Sequence, residues 1–270
     1  MANENYISSL NADGLIQPAL AAAIYEASES SMFLGGEIIP IVQAPNGIAR
    51  VPEIATSVTV DQISSSTNAD LESELMTVTK NDIICDLFAV RSVVRDLGNI
   101  DPTAIGTALG KAVAEKFDTS VYSALDAGAG DSTFDSVPLT VDDLMDGAAV
   151  IRGNGEMGPL YAVFSTTEGY NLMKNIGTAA YAGGEFQSQA LRSGSLGTIA
   201  GVQCFMSHHI TTATTAGYMF GADSMRIAMQ KNIDIEVARR AAAVGNDVVA
   251  SLMAKAALLD ANRAIRFVNV

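Results

Sequence analysis

Between Ile105 and Leu125 an apolar residue returns at every fourth position: Ile105, Leu109, Val113, Phe117, Val121 and Leu125. That spacing aligns all of them along one face of a helix. Asp101-Pro102 just ahead supplies an N-cap carboxylate and a proline at the first helical position, so the clearest helix in the chain starts there. It runs for about seven turns at 3.6 residues per turn and ends in the Gly-rich stretch from Ala127 to Pro138. Thr140-Val141-Asp142-Asp143 predicts a capping box for a second helix, which carries Val141, Leu144, Met145, Ala148 and Ile151 and stops at Gly153. Leu160 to Phe164 reads as a short apolar strand, and Ser165-Thr166-Thr167-Glu168 caps a third helix through Met173.

Upstream, Leu20, Ala23, Ile24 and Ala27 recur at helical spacing between Pro18 and Met32 and predict a short helix ending before Gly35-Gly36, an arm and not part of the core. From Glu37 to Thr79 the texture turns β-branched (Ile38-Ile39, Ile41-Val42, Ile48 to Ile54, Val58 to Val60), broken by Pro45-Asn46-Gly47 and by Ser64 to Asn68. This predicts a long hairpin with little apolar matter to bury. Such a ribbon is marginal alone in water, so it is expected to lie on a neighbouring subunit. Gly177 to Gly201 has little periodicity and predicts a long loop before strand character resumes at Val202 to Met206. Val237 to Leu259 is Ala-rich, which favours helix, whereas Asn246 to Val249 and Ile265 to Val268 have strand chemistry. No internal repeat or low-complexity linker separates independent domains.

Composition narrows the function. The chain has 270 residues, of which 49% are hydrophobic, enough for one large domain or two ordinary ones. Its formal net charge of −14 would repel a phosphate backbone over most of the surface, so the expected partners are proteins. Tryptophan is absent and aromatics are 6% of the chain, so stacking platforms for bases or sugars are not advertised. The Met1 to Asn5 start has no basic leader and no apolar run is long enough to span a bilayer, which leads us to expect a chain made and kept in the cytoplasm, with no membrane partner. Cys85 and Cys204 stand far apart, outside any ligand spacing, and read as small buried hydrophobes in a reducing compartment.

Candidate chemistry is sparse. Gly153-Asn154-Gly155-Glu156-Met157-Gly158 matches the dinucleotide fingerprint in letters, but a helix ends before it and a strand follows, the reverse of the order that binds pyrophosphate. Gly106 to Lys111 resembles a phosphate loop but is one residue short, lacks Ser or Thr after Lys111, and falls inside the long helix. His208 and His209, the two histidines of the chain, would point to opposite faces of a strand, with no carboxylate or cysteine nearby to complete a metal set. Asp142-Asp143 complements the dipole of a first helical turn. No catalytic, cofactor-binding or metal residue is therefore assigned, and the chain is expected not to be an enzyme.

The order of these features resembles the major capsid proteins of tailed phages, with the Hong Kong ninety-seven-like fold, over almost the whole chain. The likeness runs from the arm and hairpin through Val78 to Ile84 and Arg91 to Asp96 into the long helix, with Ala114-Glu115-Lys116-Phe117-Asp118 at its centre. It continues through Ala162 to Glu168, then Leu196-Gly197-Thr198-Ile199-Ala200-Gly201-Val202-Gln203-Cys204-Phe205-Met206-Ser207, Tyr218 to Ala222, and Ala261 to Val270. The resemblance implies an α+β fold with an N-terminal arm (1–36), an extended hairpin loop (37–79), a peripheral domain with a long spine helix (80–139), an axial domain (140–225) and peripheral strands (226–270). It also assigns the residues after Ile233 to strands, against helix propensity.

The implied function is self-assembly into pentamers and hexamers that form an icosahedral shell around double-stranded DNA, without sequence-specific binding and without a cofactor. Portal and scaffolding proteins and a possible cement protein are the implied partners, and the implied location is the virion capsid, assembled in the host cytoplasm. The hairpin begins within the first four dozen residues, so any scaffold is expected to be a separate protein. In the name-giving family member a lysine on the extended loop forms isopeptide bonds to a neighbour. Here the only basic residue between Gly36 and Thr79 is Arg50, and Lys80 is placed at the loop's base, so covalent cross-linking is not expected. Two alternatives are an encapsulin shell, whose cargo groove would need an exposed apolar patch near Ile24 and Tyr25, and an α/β hydrolytic enzyme using Ser165 or the His208-His209 pair.

Overall fold

The computed structural model describes residues 18–27, 29–55, 77–95, 102–134, 138–177, 196–210 and 214–269. The Asp101 cap, the Ser64 to Asn68 break and most of the Gly177 to Gly201 loop lie outside them. The long helix, α2, spans Pro102–Gly128, and the apolar row from Ile105 to Leu125 is buried along its whole length. It lies on a four-stranded sheet ordered β1 (Ile41–Gln43), β10 (Met225–Arg240), β11 (Gly245–Leu258) and β4 (Asp86–Arg95). The Ala-rich segment is thus strand, as the family resemblance implied. Burial alternates along β11, with Val248, Ala250, Leu252, Ala254 and Ala256 turned inward. Pairing on both sides, to β10 and β4, satisfies its backbone and outweighs the small per-residue helix preference of alanine. Small inward side chains also let a helix lie close on the sheet.

The second sheet has six strands, ordered β5 (Gly130–Phe134), β12 (Ala264–Asn269), β9 (Thr215–Gly221), β6 (Leu160–Ser165), β8 (Val202–Ser207) and β7 (Thr198–Ile199). Two helices, α3 (Val141–Gly153) and α4 (Thr166–Gly177), cover it. The capping box of α3 forms as predicted: the Thr140 hydroxyl accepts from the Asp143 N–H, and the Asp143 carboxylate accepts from the Thr140 N–H at 2.8 Å. At α4 the Ser165 hydroxyl accepts from the Glu168 N–H at 3.3 Å. Glu168 does not return the favour. It is buried, and its carboxylate accepts instead from the Leu139 N–H at 3.1 Å, tying the entry of α3 to the start of α4. One continuous core joins α2 to both sheets, since Tyr161, Val163, Tyr218 and Phe220 of the six-stranded sheet cluster with the α2 row and with β10 and β11.

The structure departs from the sequence reading at several elements. Gly130–Phe134, within the Gly-rich stretch that ends the long helix, is strand β5, because it takes the parallel edge that β12 offers from Ile265 to Asn269. Helix α4 continues past Met173 to Gly177, where Ile176 is buried. Thr198-Ile199 pairs with Val202-Gln203, so the end of the expected loop is a tight β7–β8 hairpin. Met145 of α3 is exposed, since the buried stripe of that helix is Val141, Leu144, Gly147 and Ile151. The apolar residues before Pro45 do not belong to the extended hairpin: Ile38 and Ile39 are core, and β1 pairs in parallel with β10. The ribbon proper is β2 (Ile48–Ala55) with β3 (Thr77–Ile84), in register from Ile48↔Ile84 to Ala55↔Thr77.

The largest correction concerns the arm. Helix α1 (residues 18–27) is seated in the core, with Ala19, Ala23 and Ala27 buried against α2. Gly106 and Gly110 make this possible: a Cβ built on Gly106 would lie 2.1 Å from the Ala19 carbonyl oxygen, and one on Gly110 2.4 Å from that of Ala23. The glycines of the false phosphate loop are the floor of a backbone-to-backbone helix contact. Ile24 and Tyr25 face outward, 42% and 63% exposed.

In a free helix, Gly→Ala stabilises by about 1 kcal/mol. Here the added methyl meets backbone, so α1 has to lift, at a cost of about 1–3 kcal/mol. G106A and G110A are expected to lower the unfolding temperature and to speed hydrogen exchange in residues 19–27; a net stabilisation by either variant would refute the close helix contact.

Candidate functional site

The residues weighed for chemistry are dispersed into structural roles. The Gly153–Gly158 stretch is the turn from α3 to β6, and its Glu156 folds inward, 1% exposed, where it accepts from the Gly158 N–H at 2.7 Å and sits 3.6 Å from Arg263. Gly158 and Gly221 leave it room, because a Cβ at Gly221 would lie 2.5 Å from its Oε2. Arg152 closes the same turn by donating to the carbonyls of Glu156 and Gly158 at 2.9 and 2.7 Å.

Ser165 and the histidine pair do come to one end of the six-stranded sheet, since Ser165 is the register partner of Ser207. The Ser165 hydroxyl is used as the cap of α4. His208 and His209 lie in a turn and not in a strand, so their rings are side by side at 3.9 Å between centroids instead of on opposite faces. Burial and the neighbouring His208 hold the His209 imidazole below the usual histidine range, with Glu115 opposing more weakly. Among the described residues there is no group of three or more His, Cys, Asp or Glu able to hold a metal ion, and no helix long and apolar enough to cross a membrane.

What the fold does assemble is a polar joint that sequence reasoning missed. One row of α2, at every fourth position, runs Gly106, Gly110, Ala114, Asp118, Tyr122 and Asp126. Its first half receives α1. Asp118, 2% exposed, then accepts from the Ser31 hydroxyl at 2.5 Å and from the Met32 N–H at 3.0 Å, fastening the turn that ends the arm. Tyr122 meets Phe33 edge-on at 5.5 Å between ring centroids and stacks on Tyr218 of β9 at 6.0 Å. Asp126 accepts from the Tyr218 hydroxyl at 3.1 Å and from Arg266 of β12 at 2.7 Å. The four-residue repeat of this row was legible in the sequence, but it mixes glycine, carboxylate and tyrosine and so carries no hydrophobic signal.

The other functional feature is the ribbon. Among the described residues β2 and β3 pair only with each other, and at the base of the ribbon Ala49 and Ile83 are buried with Ala44 and Ala228, on the face of the four-stranded sheet away from α2. Each strand is 8 residues long, which at the usual rise is about 26 Å. Arg50 faces its register partner Asp82 at 3.3 Å, both exposed. Lys80 is not at the base. It pairs with Pro52, midway along the ladder, because the return strand continues to Ile84.

Cys204 is buried and Cys85 half-buried, and both are free. Burial pushes the Cys204 thiol up to about 12 and that of Cys85 up as well. Since the thiolate is the nucleophile, Cys204 is expected to resist alkylation by iodoacetamide at neutral pH until the chain is unfolded. Rapid modification in the folded chain, read by peptide mass, would contradict this burial.

No protein-family model and no curated protein matches the chain. Solved structures do. The capsid of the cyanophage P-SCSP1u superposes with a TM-score of 0.64 at 16% identity, covering 86% of this chain and 86% of that one. The capsid of an empty GTA particle superposes at 0.69 with 11% identity, over 87% of this chain and 88% of that one. A virus-like particle from Pyrococcus furiosus superposes at 0.66 with 10% identity, over 93% and 98%. With its mixed sheets, long buried helix, docked arm and free-standing ribbon, the chain has the fold of the tailed-phage major capsid proteins.

Proposed function

We propose that the chain is the subunit of an icosahedral shell, assembling into pentamers and hexamers around packaged double-stranded DNA, and that it works through interfaces and not as an enzyme. The observation that carries this reading is the ribbon: two strands that pair only with each other among the described residues, anchored at their base by Ala49 and Ile83, on a body with a capsid-protein fold. A two-stranded ribbon gains independent stability only when something covers it, and a second copy of the same chain is the partner a closed shell supplies. The net charge of −14 suits an inner wall that does not grip the DNA. Portal and scaffolding proteins, and a cement protein if one is used, complete the particle in the host cytoplasm. The phage capsids among the neighbours support this over an encapsulin, although the exposed Ile24 and Tyr25 leave an apolar surface on the arm.

Electron micrographs of the expressed chain are expected to contain closed shells, and native particles to absorb ultraviolet light with a nucleic-acid spectrum. A chain that stays monomeric and hydrolyses a model ester would overturn the proposal, and particles with a protein-only spectrum would shift it to an encapsulin. Hydrogen exchange is expected to be slow in residues 48–55 and 77–84 in assembled particles and fast in unassembled subunits. Equal protection in both states would remove the intersubunit role of the ribbon.

Cross-linking provides a separate check. The guanidinium of Arg50 is no amine nucleophile, so particles boiled in detergent and reductant are expected to run as one band at the monomer mass of 28.1 kDa. A ladder of covalent oligomers that disappears in K80R would mean that mid-ribbon Lys80 reaches a neighbour after all.

A further inference from the structure

Asp118 sits where the arm, the spine helix and the turn after β8 meet. The Ser31 hydroxyl, which donates to it, accepts in turn from the N–H groups of Phe33 and Leu34 at 3.2 and 3.1 Å, so one small network fixes the whole 31–34 turn. Every donor to Asp118 in that network is neutral, and among the described residues no salt bridge reaches it. The arm presents no charged side chain from Ser31 to Leu34. On α2 the neighbouring titratable group is Tyr122, held neutral by burial, while Glu115 acts on His209. From the turn after β8 His208 favours the carboxylate, more weakly than the hydrogen bonds do, and on β9 Tyr218 is stacked behind Tyr122.

We propose that Asp118 is a proton-operated catch for the N-terminal arm: the protonated carboxyl keeps the 31–34 turn clamped on the spine helix, and ionisation loosens it. An ionised carboxylate held out of water by neutral donors alone is poorly compensated, and lifting the arm rehydrates it. Burial, opposed by the bonds from Ser31, Met32 and Phe33, pushes the docked carboxyl from 3.8 up to about 6. The docked state therefore binds the proton more tightly than the undocked one. The added stability is fully present below the ordinary carboxylate range and is lost as pH rises through about 6, a factor of about 100 in the docking equilibrium. The catch acts within one chain, so it stands or falls separately from the shell proposal.

Hydrogen exchange of the full chain tests it, with the assembly state kept the same at both pH values and checked by light scattering. Between about pH 5 and about pH 7.5, where part of the effect is already spent, amides in residues 31–34 are expected to lose about 10-fold in protection beyond the intrinsic pH effect. D118N, which mimics the neutral carboxyl, is expected to stay protected at both. H208Q is expected to keep the wild-type dependence. Protection that does not change with pH in the wild type, or a pH dependence that survives in D118N, would overturn the catch. Infrared difference spectra provide a readout that does not rely on D118N behaving well: a protonated-carboxyl band is expected in the wild type near pH 5, and its absence there would equally sink the proposal.

Discussion

Everything else in this chain depends on the burial of α2. A helix of 27 residues with an apolar row on one side ordinarily covers a single sheet and leaves the rest of its surface to water. Here the neighbouring row is also occupied, by α1 at its first half and by the six-stranded sheet at its second. The helix thereby becomes the shared wall of both sheets and the arm, which is why one core cluster joins all three. The joint is made of unlike contacts in sequence order. Glycine and alanine give close backbone approach, Asp118 a buried hydrogen-bonded fastening, Tyr122 a ring stack, and Asp126 a half-exposed ion pair.

These contacts differ in what they can do. Apolar and backbone packing responds little to solution conditions, and the Arg266–Asp126 pair is open enough to water to contribute modestly. Asp118 is the exception, because a buried carboxylate without a cation has two protonation states of comparable cost. The arm is held by this polar fastening over a small-residue contact, and the ribbon by a few small apolar side chains at its base.

The elements with a repeating apolar signal were legible from the residues alone. The α2 row, the α3 capping box and the β6–α4 unit form where their patterns placed them. The glycines at 106 and 110 were visible too, but a motif has no meaning apart from its setting, and the loop reading failed because helix backbone is already hydrogen-bonded. Their actual partner, α1, lies more than eighty residues earlier in the chain, and nothing local to either helix announces the other. The arm's inner face is alanine, which adds little to an apolar stripe although it is the residue such a close contact requires.

Sequence by itself determined which segments could form amphipathic helices and where α3 is capped. The order of these pieces also pointed to the fold. Tertiary structure decided the rest: that β10 and the Ala-rich β11 are paired strands, that Gly130–Phe134 joins a sheet edge, that Lys80 lies midway along the described ladder of the ribbon, and that Asp118 is enclosed with neutral donors only. The physical reason is common to all of them. Strand pairing, register and desolvation are set by groups distant in sequence, and their energies exceed the local propensities from which a sequence is read.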